Sequence, residues 1–368
     1  MAVRRSPQAP DYALLAVVAV LLAVGIVMVY SASMVEAQAA GDSFYYLKRQ
    51  MLWAALGLGA MLFFMRLDYS LFPRFARPLL GVSLVLLLVV LIPGVGHAAN
   101  GGQRWIGFGF ANLQPSELMK LAFVIFLADW MTRRQEKVGR FWQGLAPIFL
   151  LLGLSFGLIM LEPDLGTSLV LTGTVFLMLL AGGANVFQLA GVGSLAVPGV
   201  AALALMSPYR ARRLFTFLDP FKNPQGDGYQ IIQGLYALGS GGLFGVGLGR
   251  SRQKFFYLPE RHTDMIFAIL GEELGLVGTV CVLLCFVFLA WRGYRIAVEA
   301  PDRFASMLAV GITSWITLQA CMNIAVVTST IPMTGIPLPF ISYGGSSLLF
   351  IMSGVGILLG VSRHGRAA

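Results

Sequence analysis

The chain has 368 residues, 57% hydrophobic and only 12% charged, with a mean hydropathy of +0.79. So much apolar surface excludes a water-soluble globular domain and fits a polytopic membrane protein. The net charge of +9 would suggest a nucleic-acid partner in a soluble chain; here no nucleic acid is expected, and the placement of the charges matters more than their sum.

A membrane helix takes about 20 mostly apolar residues. Ten such runs are predicted, at about 12–33, 50–66, 77–93, 115–131, 143–161, 166–182, 187–207, 264–291, 304–327 and 346–361. The first is too long for a signal peptide and lacks a small-residue cleavage site, so it reads as a retained helix. The expected fold is therefore an all-α polytopic membrane protein, one integral membrane domain over residues 1–368. No convincing repeat or low-complexity tract interrupts it. Two longer polar gaps do, at about 94–114 and 208–263. Cys281, Cys285 and Cys321 all lie in apolar runs and read as small core residues, with neither metal partners nor a disulfide framework.

Lys and Arg in short loops set orientation. With the N-terminus inside, fourteen fall on the inner side: Arg4, Arg5, Arg66, Arg74, Arg77, Arg133, Arg134, Lys137, Arg140, Arg292, Arg295, Arg303, Arg363 and Arg366. Only Lys48, Arg49 and Arg104 fall in short outer loops. Ten helices then place both termini in the cytoplasm and the 208–263 loop, between helices 7 and 8, outside. That loop holds eight basic residues against Asp219, Asp227 and Glu260, and so would attract an anionic head group. Its stretch "GYQIIQGLYALGSGGLFGVGLG" (228–249) begins as an amphipathic helix suited to the membrane interface. It then turns glycine-rich, for close backbone approach to a ligand or for tight turns. The spacing matches no nucleotide-binding loop.

Four stretches carry candidate chemistry, all on the outer side. In "ERHTD" (260–264), Asp264 stands at a helix lip, either as an N-terminal cap or as a general base beside cationic residues. His262 is an alternative base without an obvious partner. In "QPSELMK" (114–120), Pro115 opens a helix and Glu117 and Lys120 share a face, as a structural ion pair or as a polar cavity lining. In "LEPDLGTS" (161–168), Asp164 caps a helix or faces the same cavity. In "PMTGIPLPFISYGGSS" (332–347), prolines and glycines break the outer loop, and hydroxyls such as Ser342 and Ser346 could meet a sugar or phosphate. A single cavity could gather all four.

These stretches, with "VMVYSAS" (27–33), "NGGQRWI" (100–106) and "GGLFGVGLGRSRQKFFYLPERHTD" (241–264), resemble the SEDS family of shape, elongation, division and sporulation proteins over nearly the full length. Within it the chain resembles the division and sporulation branch, FtsW and SpoVE, more than RodA. The resemblance implies a peptidoglycan glycosyltransferase of the bacterial cytoplasmic membrane that polymerises lipid II on the outer face. It implies Asp264 as the catalytic residue. It also places the family's buried Glu–Lys pair on Glu117 and Lys120, and its second outer aspartate on Asp164. Arg104, Arg250, Arg252, Lys254 and Arg261, with His262, Ser342 and Ser346, are the expected substrate contacts. A divalent cation, Mg2+ or Mn2+, is compatible with a pyrophosphate substrate, though no ligand cluster demands one. Expected partners are lipid II, a class B penicillin-binding protein (the transpeptidase), other divisome or sporulation proteins, and membrane lipids. A lipid II flippase and a non-enzymatic divisome scaffold are the alternatives. A flippase would fit better with internal repeats and midplane charge, and neither is found.

Overall fold

The apolar runs become helices wherever polar loops punctuate them, as the computed structural model shows over residues 9–39, 41–99, 102–108, 111–206 and 208–365. Among the described residues there are twelve α-helices: α1 (Tyr12–Ala39), α2 (Tyr45–Arg66), α3 (Phe72–Val90), α4 (Pro115–Arg133), α5 (Ala146–Leu161), α6 (Leu165–Ala181), α7 (Val186–Met206), α8 (Pro208–Leu218), α9 (Tyr229–Ser240), α10 (Ile266–Glu299), α11 (Arg303–Val327) and α12 (Gly345–Ser362). Each of the ten predicted runs coincides with one of them, with ends that agree within three residues for six runs and differ by up to eight for α1, α2, α3 and α10. Six stretches, built on α1, α3, α5, α10, α11 and α12, are long and apolar enough to cross a membrane. α6 is shorter, at 17 residues, and α4 carries Glu117, Lys120, Asp129 and Arg133.

The core is a bundle in which α11 packs on α4, α6 and α10, while α12 lies along α2 and α1 along α10. α4 and α12 are buried along most of their lengths. α7 contacts only the neighbouring α6 and α8 to any extent, and its described side chains are largely exposed.

The expectation of an all-α chain needs one correction. The gap before α4 holds a small antiparallel sheet, β1 (Gly96–Ala99), β2 (Gly102–Phe108) and β3 (Ala111–Leu113), in the order β1-β2-β3. His97 pairs with Trp105, and Ile106 with Leu113. Strands of three to seven residues, rich in glycine, are too short to reveal an alternating pattern.

Polar contacts distinguish the two ends of the bundle. At one end Arg292 pairs with Asp11, whose N–H donates to Ser362 Oγ. There too, Tyr69 donates to Asp302 and Arg303 donates to Gly182 O. Most of the basic residues predicted to face inward lie at this end; Arg4, Arg5 and Arg366 fall outside the described residues. The other end carries the sheet, α8, α9 and the 332–344 loop.

Candidate active site

The sheet end contains a cavity of ≈ 340 Å³. Five segments of the chain build most of its wall. Arg104 and Trp105 come from β2, and Gln114 and Glu117 from the entry to α4. Asp164 and Thr167 come from the start of α6; Glu260, Thr263 and Asp264 from the segment before α10; and Pro337, Tyr343, Ser346 and Ser347 from the loop and first turn of α12. Arg49 and Trp53 of α2 complete it. The four candidate stretches thus converge on one space.

Asp264 does not cap a helix. The N-cap of α10 is Met265, with no side-chain cap bond, so the capping reading is corrected. Among the described residues its carboxylate accepts no hydrogen bond. Its backbone is held instead: Asn323 Nδ2 of α11 donates to Asp264 O at 2.8 Å and to Ile336 O at 2.7 Å. Ser342 Oγ donates to Thr263 O at 2.7 Å and accepts from Leu338 N at 2.8 Å, and Tyr343 N donates to His262 O at 2.9 Å. These bonds lock the 332–343 loop to the segment carrying Asp264. Burial pushes the Asp264 carboxyl up to about 7, helped by the charges of Glu260 and Asp164 and opposed by Arg213 and Arg104.

Asp164 does cap: its Oδ1 accepts from Thr167 N at 3.0 Å and its Oδ2 from Thr167 Oγ1 at 2.9 Å. The same carboxylate faces the cavity and accepts from Gln114 Nε2 at 3.1 Å. Cap and cavity wall are therefore one group. Beside it Glu162 is wholly buried, and burial, with Asp164, pushes its carboxyl up to about 9, so it is neutral at pH 7. Arg104 lies at the cavity but spends two donors on the adjacent turn, Nε to Glu162 O (2.9 Å) and a terminal nitrogen to Pro163 O (2.7 Å).

Glu117 and Lys120 form the expected pair, at 2.7 Å and almost fully buried. Lys120 Nζ also donates to Gln319 Oε1 at 2.8 Å and lies 5.3 Å from the Trp315 ring centroid. Gln319 Nε2 then reaches Pro337 O at 3.1 Å, joining the pair to the broken loop. Glu117 Oε2 is buried and unbonded, and Glu117 lines the cavity.

The remaining candidates stand apart from the cavity lining. Lys254 is fully buried, donates to Gly249 O and lies 3.4 Å from Glu273 Oε1. Arg261 is buried and bound to α1, through Ala32 O at 3.2 Å and Glu36 Oε2 at 2.7 Å. His262 is packed between Tyr46 (4.5 Å between centroids) and Tyr343 (5.6 Å), and burial lowers its pKa. Arg250 and Arg252 are exposed on the loop. Sequence reasoning missed Asn323, Gln319 and Glu36. Polar residues inside or at the end of an apolar run were the available signal for each.

Apolar helices around a carboxylate-lined cavity define an integral membrane protein with a polar cavity at one end of its bundle. The chain belongs to the cell cycle protein family of FtsW, RodA and SpoVE, whose model matches residues 12–367. It is 49% identical over 358 residues to stage V sporulation protein E of Bacillus subtilis (strain 168), covering 97% of this chain and 98% of that protein. It is 45% identical over 353 residues to the probable peptidoglycan glycosyltransferase FtsW of Trichlorobacter lovleyi, covering 96% and 93%. Among solved structures it is similar to a chain of a peptidoglycan synthase complex described as coordinating polymerization and crosslinking. The TM-score is 0.80 at 33% identity, covering 96% of this chain and 98% of that one. It is also similar to the rod shape determining protein RodA of Thermus thermophilus, with a TM-score of 0.73 at 30% identity, covering 98% and 99%.

Proposed function

We propose that this protein is a peptidoglycan glycosyltransferase that joins lipid II disaccharides into β-1,4 glycan strands and releases polyprenyl diphosphate, in cell division or sporulation. The observation that carries this reading is the convergence of Asp264, Asp164, Glu117 and Arg104 on one cavity at the end of an apolar bundle. The names of the relatives support it. In this reading ten helices cross the cytoplasmic membrane with both termini inside, and the cavity opens outside.

Lipid II carries its sugar through an α-linked pyrophosphate, and the product is β-linked, so one inversion suffices. Asp264 takes the proton of the attacking 4-hydroxyl as the bond from that oxygen to the anomeric carbon forms. The pyrophosphate leaves with the electrons of the broken bond. A carboxyl near 7 suits a general base at neutral pH. In this reading Arg49 and Arg104, which line the cavity, meet the leaving group's charge. The exposed Arg250 and Arg252 would draw anionic head groups toward the cavity mouth. Among the described residues no group of three or more His, Cys, Asp or Glu is arranged to hold a metal ion. A class B penicillin-binding protein is the proposed partner, supported by the polymerization and crosslinking complex to which the chain is similar.

The test is glycan formation from lipid II by purified protein, with and without a transpeptidase partner. Asp264→Asn should melt like the parent and lose on the order of 10²–10⁴-fold in polymerisation rate. Full activity in that well-folded variant would move the base elsewhere, with Asp164 next in line.

A further inference from the structure

The glycine-rich stretch after α9 interlocks with a break in α10. At Gly275 the backbone leaves the helical region (φ 70, ψ −166). The groups freed there are taken up by residues 242–247. Leu276 N donates to Gly242 O (2.9 Å) and Val277 N to Leu243 O (3.1 Å). In return, Val246 N donates to Glu272 O (3.0 Å) and Gly247 N to Glu273 O (3.1 Å). A Cβ on Gly275 would lie 2.3 Å from Gly245 N, and one on Gly245 2.2 Å from Glu273 O, so close backbone approach requires glycine at both. The partner these glycines approach is α10 itself.

The side chains carried by this loop are apolar and point away from the protein: Leu243 is 62% exposed, Phe244 80% and Leu248 57%. The loop is docked at Val277, fifteen residues before Arg292, or about 22 Å along a regular helix. Arg292 marks the basic end, and the hydrocarbon core of a bilayer is about 30 Å thick. The tip is also continuous with the exposed apolar stripe of α10 through Leu276, Val280 and Leu283. Non-helical backbone at membrane depth is tolerated only where its polar groups are satisfied within the protein; the reciprocal bonds, with Gly245 N donating to Gly241 O, do this for the N–H groups of Gly245, Val246 and Gly247 and the carbonyls of Gly242 and Leu243.

We propose that residues 242–248 form a re-entrant loop whose Leu243, Phe244 and Leu248 side chains are seated in the acyl chains of the outer leaflet. The inference rests on the membrane reading of α10 and not on any enzymatic activity. The loop leads, through Ser251 and Lys254 held by Glu272 and Glu273, into the segment that carries Asp264. Insertion would therefore fix the height of the base above the lipid.

The experiment places a nitroxide at Phe244→Cys, and separately at Leu248→Cys, in the full chain without its three native cysteines, reconstituted in lipid nanodiscs. Val280→Cys on the α10 stripe and Gln225→Cys in the polar loop are the references. Collision with oxygen, which concentrates in lipid, is compared with collision with a water-soluble nickel chelate. Both loop positions should show an oxygen-to-nickel ratio several-fold above Gln225 and close to Val280. A Gln225-like ratio at both would place the loop in water, and protection from both reagents would mean that protein covers it; either overturns the proposal. A water-like ratio at Val280 would instead refute the membrane placement of α10. The two loop sites are read independently, so failure of one variant to fold leaves the other decisive.

Discussion

Among the described residues the Asp264 carboxylate accepts no hydrogen bond, and its acidity is shifted by burial and by charges at a distance. Glu260 raises its pKa and Arg213 lowers it. The base works deprotonated, so activity should rise through about pH 7. Removing the negative neighbour in Glu260→Gln should move that rising limb of kcat/KM to lower pH; Arg213→Gln should move it higher. Polymerisation rates across pH 5–9 check the direction, and an unmoved limb in both variants would assign the ionisation to another group. The site candidates nearest Asp264 in the chain were also the hardest to place from sequence. Lys254 and Arg261 read as substrate contacts, whereas in the fold they pair with Glu273 and Glu36, 19 and 225 residues away along the chain. Burial and pairing of this kind are fixed by tertiary packing, which no local pattern reports.

The elements themselves were mostly legible. A run of about 20 apolar residues has few alternatives to a helix in lipid, and each predicted run became one. The short sheet was not legible, nor was α8, an amphipathic helix of 11 residues and too short to read as a membrane run. Helix α4 offers a test at this scale, because its first two turns carry the buried Glu117–Lys120 pair. Breaking a buried pair leaves one charge uncompensated and costs about 3–5 kcal/mol. Glu117→Gln and Lys120→Met should therefore each lower the melting temperature, and the double variant should recover most of the loss. If stability returns without polymerisation, the unbonded Glu117 Oε2 serves the cavity as well as the pair. Equal melting of all four proteins would show that the pair is hydrated.

For the whole molecule, the division into a basic end and a cavity end is what the proposed orientation rests on. Gln135 and Gln225 are both exposed and belong to opposite ends. Single cysteines there, without the native three, should react with an impermeant reagent from opposite sides of intact cells or vesicles. Labelling of both from outside would overturn the ten-span arrangement. The convergence of the four motif stretches on one face followed from topology and was anticipated. Their closure into one cavity depended on Asn323, Gln319 and Ser342, whose bonds reach across the bundle.

The interlock of Gly245 with Gly275 also constrains how such a sequence can change. The two positions lie thirty residues apart, yet a side chain at Gly275 would fall on Gly245 N and one at Gly245 on Glu273 O, two residues before Gly275. A substitution at either one meets the backbone of the opposite segment, so neither can be rescued by a larger residue at its counterpart. Variation should therefore reach them together, as a remodelled loop of different length, and single-step drift should be purged at both. The glycines form one inherited unit, separated in the gene and joined only in the fold.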